Sequence, residues 1–178
     1  LWGRLRTHHS EERFVSPMAV TWRDALFPET FEDVVAIPWM RGVLADGERA
    51  AFVMTSATHG TRHGHYLWRL LVDRVHQRRC IGRRAIELLI EQLRGDGVPR
   101  LYTSCGQGIG SPQPFYERLG FVPTGEVRSG GDAGDVGAVL TVARDRCVGA
   151  VVGGIAADLL GQAVGAVGAG REAGLVGD

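Results

Sequence analysis

The stretch that most constrains this chain runs from Tyr66 to Leu93, where an apolar segment passes through a short basic turn into an amphipathic one. Leu67, Leu70, Leu71, Val72 and Val75 crowd together without a helical gap, which predicts a strand over Tyr66 to Val75. Ala85, Ile86, Leu88, Leu89, Ile90 and Leu93 then recur at three- and four-residue spacings. Arg83, Arg84, Glu87, Glu91, Gln92 and Arg94 fill the opposite face, so this segment is a helix, ended by Gly95-Asp96-Gly97. Gln77, Arg78, Arg79, Cys80, Ile81 and Gly82 lie between the two. A helix that starts there turns its first free N–H groups and the positive end of its dipole outward, which suits an anionic phosphate. Arg78, Arg79, Arg83 and Arg84 strengthen that preference.

The remaining elements follow from similar signals. Leu1 to Ser10 has no periodicity and reads as a frayed end. Glu11 to Phe27 holds one or two short helical segments, interrupted near Pro17 and ended before Pro28. Val34 to Leu44 is a strand broken at Pro38, and Ala45-Asp46-Gly47-Glu48 is a hairpin turn into Arg49 to Ala57. Arg100 to Cys105 is a short strand, followed by the loop GQGIGSPQP and a helix within Ser111 to Leu119. Phe121 to Val127 and Val136 to Ala143 pair as a final hairpin. The sum is an α/β (α+β) domain with a mixed, largely antiparallel sheet flanked by helices over residues 1–146. Residues 147–178 form a Gly/Ala/Val-rich tail, expected to be a weakly ordered appendage rather than a membrane span. A homodimer contact through it stays open.

The 178 residues carry zero net charge, so nothing global draws nucleic acid or an anionic membrane, and the arginines are a local feature. Cys80, Cys105 and Cys147 are odd in number and lack paired spacing. They point to a reducing, cytoplasmic setting, as does the lack of a visible signal peptide. His59, His63 and His65 sit among loop glycines with no second ligand set, so no metal is expected. Cys105 reads as a small buried residue, and Trp39 and Trp68 as core.

The run LLVDRVHQRRCIGRRAIELLIEQL resembles the acetyl-coenzyme A signature of the GNAT superfamily of N-acetyltransferases, Q/R-x-x-G-x-G/A between a strand and a helix. FYERLGFVPTGEV, Phe115 to Val127, is similar to the second hallmark of that family. The loop TSCGQGIGSPQPFYERLGF most resembles a bacterial branch that includes spermine/spermidine (diamine) acetyltransferase-like proteins. The resemblance implies an enzyme that moves the acetyl group of acetyl-CoA to a small primary amine without a metal. It implies that Leu71 and Val72 carry the strand that pairs with the pantetheine arm. Gln77, Arg78, Arg79, Cys80, Ile81, Gly82 and Arg83 would wrap the diphosphate, and Tyr116 would be the general acid for the departing thiolate. Glu29, Glu32, Asp33 and Glu48 are candidates for the base.

Two departures from the family pattern stand out. Cys80 occupies the place of the first glycine of the turn, an exchange that a negative φ and an outward side chain would accommodate. The segment before Pro17 is too short for the complete N-terminal strand and helix that usually help build the amine site. The alternative to an enzyme is a degenerate coenzyme-binding or protein-interaction module without turnover.

Overall fold

The computed structural model describes residues 2–28, 30–31, 34–57, 65–129 and 136–143, and the expectations for the tail, for His59 and His63 and for Glu29, Glu32 and Asp33 lie outside the described residues. The elements in order are helix α1 (Met18–Leu26), strands β1 (Thr30–Phe31), β2 (Val34–Val35), β3 (Pro38–Ala45), β4 (Glu48–Ser56) and β5 (His65–Val72), helix α2 (Ile81–Gly95), β6 (Arg100–Gly106), helix α3 (Gln113–Arg118), β7 (Val122–Ser129) and β8 (Val136–Ala143). β1 and β2 pair only with each other. The other six strands form one sheet in the order β3-β4-β5-β6-β8-β7, in which β5 and β6 are the parallel pair.

The turns follow from side-chain chemistry. Asp46 (φ +54°) and Gly47 (φ +77°) tolerate the left-handed backbone of a tight hairpin, and Pro38 begins β3, where its missing N–H leaves no gap in the ladder. The strand foreseen as far as Val75 stops three residues earlier, because Asp73 caps a turn by accepting from the Val75 N–H at 3.1 Å. Val75 itself is exposed.

Each face of the sheet has its own core. On one side Ile81, Ala85, Ile86, Leu89, Ile90 and Leu93 of α2 pack on Val43, Ala45, Ala51, Val53, Leu67 and Leu101, joined by Tyr116, Leu119 and Phe121. On the other, Phe52, Met54 and Leu71 are covered by Met18 and Leu5, with Trp2, Trp22 and Trp68 alongside. The N-terminal residues read as a frayed end are therefore a docked segment. Trp2–Arg4 and His9–Glu11 form 3-10 turns, Leu5 is buried, and Trp2 lies against Gly42. No strand precedes α1 among the described residues. The face opposite α2 is closed by these short turns and α1 instead.

One irregularity sets the shape of the centre. Met54 pairs with Arg69 and Thr55 with Leu67, so Trp68 is an extra residue in β5, a bulge. The bulge resets the strand's alternation: Leu67, Leu70 and Val72 pack toward α2, while Trp68 and Leu71 pack toward α1. β5 pairs with β6 only at His65↔Leu101, Tyr66↔Tyr102 and Leu67↔Thr103. Beyond that point β5 stays with β4 as far as Val72, and β6 stays with β8 as far as Gly106. The sheet forks.

Candidate active site

The fork opens between Trp68–Val72 on one side and Ser104–Gly106 on the other, and α2 starts at its open end. Among the described residues no backbone pairing joins β5 to β6 beyond Leu67↔Thr103, an arrangement of parted strands that can accept an added extended chain. Leu71 and Val72 lie on β5 beyond its last bond to β6.

The basic turn is less uniform than its composition implies. α2 begins with the Arg84 N–H donating to the Cys80 carbonyl at 3.0 Å, which leaves the N–H groups of Ile81, Gly82 and Arg83 without a helical acceptor. The Ile81 side chain is core, so it offers the site only its backbone. A Cβ on Gly82 would come to 3.2 Å from Val72 Cγ2 and 3.6 Å from the Phe115 ring, so glycine there lets α2 close onto β5 and α3. Gln77 donates through Nε2 to Glu11 Oε2 at 2.7 Å and to the Val72 carbonyl at 3.3 Å. Arg79 donates to Asp46 at 2.9 Å and meets buried His76 Nδ1 at 3.1 Å. Arg83 binds Glu87, itself nearly buried, at 3.0 Å, and Arg84 is shared between Glu87 and Glu91. Arg78, exposed, has no carboxylate partner among the described residues and is the cation most available to a ligand.

Cys80 departs from expectation. Its φ is +60°, in the left-handed region that favours glycine, not the negative value foreseen, although its side chain does face solvent. Arg78 shares that conformation. The turn has kept the glycine-type backbone while losing the glycine.

Tyr116 sits on α3, wedged between Phe115 and Phe121 with ring centroids 5.1 and 5.4 Å away. Its hydroxyl meets the Thr103 side chain, and Thr103 Oγ1 in turn donates to the Leu67 carbonyl at 3.3 Å. Because Thr103 spends its proton on Leu67, the phenol is the donor in its own contact. Leu67 and Thr103 are the last pair before the strands part, so the Tyr116 hydroxyl stands at the apex of the fork. Burial pushes its pKa well above the ordinary phenol range, with the Thr103 hydrogen bond opposing, so the group stays protonated. Cys105, buried beside it, is likewise held as a thiol, chiefly by burial.

Of the proposed bases, Glu48 lies on the β3–β4 hairpin, 3.5 Å from His76. His76 and Glu11 are site residues that sequence spacing did not single out, since each acts by bracing the turn from an element distant in the chain. Tyr66 and Ser104, whose hydroxyls bond to each other, were missed as well. Their signal, a polar residue in each of two adjacent strands, is visible only once the strands are aligned.

Residues 2–121 match the acetyltransferase (GNAT) family model. The chain belongs to this family of acetyltransferases. No curated protein matches the sequence. Among solved structures it is similar to the ribosomal-protein-S18-alanine N-acetyltransferase from Escherichia coli, with 23% identity, TM-score 0.51, and 62% of this chain and 71% of that one covered. It is similar also to an aminoglycoside 6'-acetyltransferase type Ii, with 19% identity, TM-score 0.53 and coverages of 72% and 78%. A third is an aminoglycoside 6'-N-acetyltransferase complexed with coenzyme A, with 16% identity, TM-score 0.53 and coverages of 72% and 81%. At these identities the likeness concerns the fold, and it does not favour polyamine enzymes over the others. As a member of the GNAT family, the chain has acetyl-CoA as its co-substrate class. No helix among the described residues is long and apolar enough to cross a membrane.

Proposed function

We propose that this chain transfers the acetyl group of acetyl-CoA directly to a primary amine, with Tyr116 as general acid. The observation that carries the reading is the Tyr116 hydroxyl at the fork apex, protonated and aimed at Thr103, where a thioester lying between β5 and β6 would end. Leu71 and Val72 offer backbone groups to the extended arm of the co-substrate. The N–H groups of Ile81, Gly82 and Arg83 and the charge of Arg78 receive its diphosphate, while Gln77 and Arg79 hold the turn. Arg83 reinforces the charge from its bond to Glu87. Cys80 supplies a backbone N–H and keeps its thiol in solvent.

In the reaction the neutral amine nitrogen forms a bond to the acetyl carbon and the carbon–sulfur bond breaks. Tyr116 gives its proton to the leaving sulfur and regains one from the nitrogen, so no net proton is consumed within the protein. The loop TSCGQGIGSPQPFYERLGF makes polyamines the first acceptors to test, ahead of amino sugars and peptide N-termini.

Thiol release from acetyl-CoA, followed with a thiol-reactive dye across such an amine panel, tests the reading. At least one amine should raise release well above the amine-free rate. Tyr116→Phe should lower turnover by roughly 10²- to 10⁴-fold, the usual worth of a general acid, with coenzyme affinity nearly unchanged. Equal loss of both would remove the acid role. The left-handed Cys80 favours a second reading, a module that binds coenzyme A without turnover. Binding with no amine-stimulated release would establish it.

A further inference from the structure

Thr103 and Ser104 are successive residues of β6 and therefore project to opposite faces of the sheet at the fork apex. Thr103 lies on the α2 side with Leu101 and Cys105, and there it receives the Tyr116 hydroxyl. Ser104 lies on the α1 side. Gly106, two residues on and on the same face, confirms the direction: a Cβ there would come to 3.2 Å from the ring of Phe14 in the N-terminal segment. Tyr66, buried on β5 beside Leu67, donates its hydroxyl proton to Ser104 Oγ. The apex thus carries one phenol on each face, each bonded to a hydroxyl of β6.

The two faces differ in what reaches them. The turn before α2 and the acid Tyr116 approach from one side, so an amine must meet the acetyl carbon from the other, where Ser104 is the half-buried polar group. We infer that Ser104 Oγ receives an N–H of the acceptor amine and that Tyr66 is the positioning residue that holds this hydroxyl in place. The inference rests on the acetyltransferase reading above. Tyr66 occupies one lone pair of Ser104 Oγ and leaves the other free, so the serine takes a hydrogen bond from an amine whose own lone pair points at the carbonyl carbon. A hydroxyl brings no charge to this contact. The serine accepts from amine and ammonium alike, but only the neutral amine has the lone pair that attacks, so the rate at fixed acceptor concentration follows the neutral fraction of that acceptor.

Steady-state kinetics of Ser104→Ala, Ser104→Thr and Tyr66→Phe test the assignment, beside titration of spermidine, glucosamine and an alanyl peptide onto the protein saturated with coenzyme A. Ser104→Ala should raise the KM or Kd of the amine about tenfold, the worth of one hydrogen bond, and leave the KM of acetyl-CoA unchanged. Ser104→Thr, which keeps the hydroxyl, should restore most of the loss. Tyr66→Phe should give a smaller rise that adds nothing to Ser104→Ala in the double variant, because it acts through the serine. An unchanged amine constant, an equal rise for both substrates, or no amine binding by the wild type overturns the inference. Amine binding that depends on Ser104 without turnover sustains it and defeats the acetyltransferase reading instead.

Discussion

At the scale of single residues, Cys80 has a defined energetic position. A non-glycine residue in the left-handed region costs about 1–2 kcal/mol, part of which glycine returns as unfolded-state entropy. Cys80→Gly should therefore stabilise the protein by about 0.5–1 kcal/mol in denaturant unfolding and tighten coenzyme binding in a titration. Weaker binding would mean that the Cβ itself supports the turn. His65 gives a pH signature. Burial lowers its pKa below the ordinary histidine value, more than nearby Asp96 raises it, and its Nδ1 has no hydrogen-bond partner among the described residues. The folded protein therefore holds His65 neutral while the unfolded chain takes up a proton below about pH 6.5. Its contribution to stability is complete above that pH and is lost as pH falls through the lowered folded value. His65→Gln should flatten the decline in melting temperature on the acid side. None of this could be seen in the sequence: QRRCIG shows where the turn is, but the sign of φ at Cys80 depends on how α2 docks.

At the scale of elements, the sequence was most legible where one local pattern decides. The helical spacing from Ala85 to Leu93 yields α2, and Asp46-Gly47 yields the β3–β4 turn. Legibility failed where a distant partner decides. Trp2 and Leu5 lack periodicity, yet they dock because Gly42 on β3 leaves space for an indole. A Cβ on Gly42 would overlap the far end of the Trp2 indole, so Gly42→Ala displaces the ring. The expected cost is about 1–3 kcal/mol, the range for overpacking. Limited proteolysis should then cut within residues 2–16 well before the rest of the chain. Unchanged protection would show that Gln77–Glu11 and the bond from Arg13 to the Ile109 carbonyl hold the segment without Trp2. The bulge at Trp68 was equally hidden, since LWRLL is uniformly compatible with a regular strand and only its pairing with Met54 and Thr55 shows the extra residue.

For the whole molecule, family and fold class were legible, as was the turn that opens α2, because they depend on two motifs a fixed distance apart. The division of the sheet was not, since it arises from three strands that stop pairing at different points. That division has a mechanical consequence. Three residue pairs, His65↔Leu101 to Leu67↔Thr103, are the backbone seam between the β3-β4-β5 and β6-β8-β7 halves, which makes the pair of half-sheets a set of jaws sprung at one end. An extended ligand bridging β5 and β6 would supply the missing rungs and stiffen the jaws. Amide exchange at Trp68–Val72 and Ser104–Gly106 should slow on addition of coenzyme A, while that of α2, already packed, changes little. Stiffened jaws also hold Tyr66 of β5 against Ser104 of β6, whose hydroxyls bond across the seam. The order of arrival follows: the amine finds its seat complete only after the coenzyme has closed the gap, so binding should be sequential, coenzyme first.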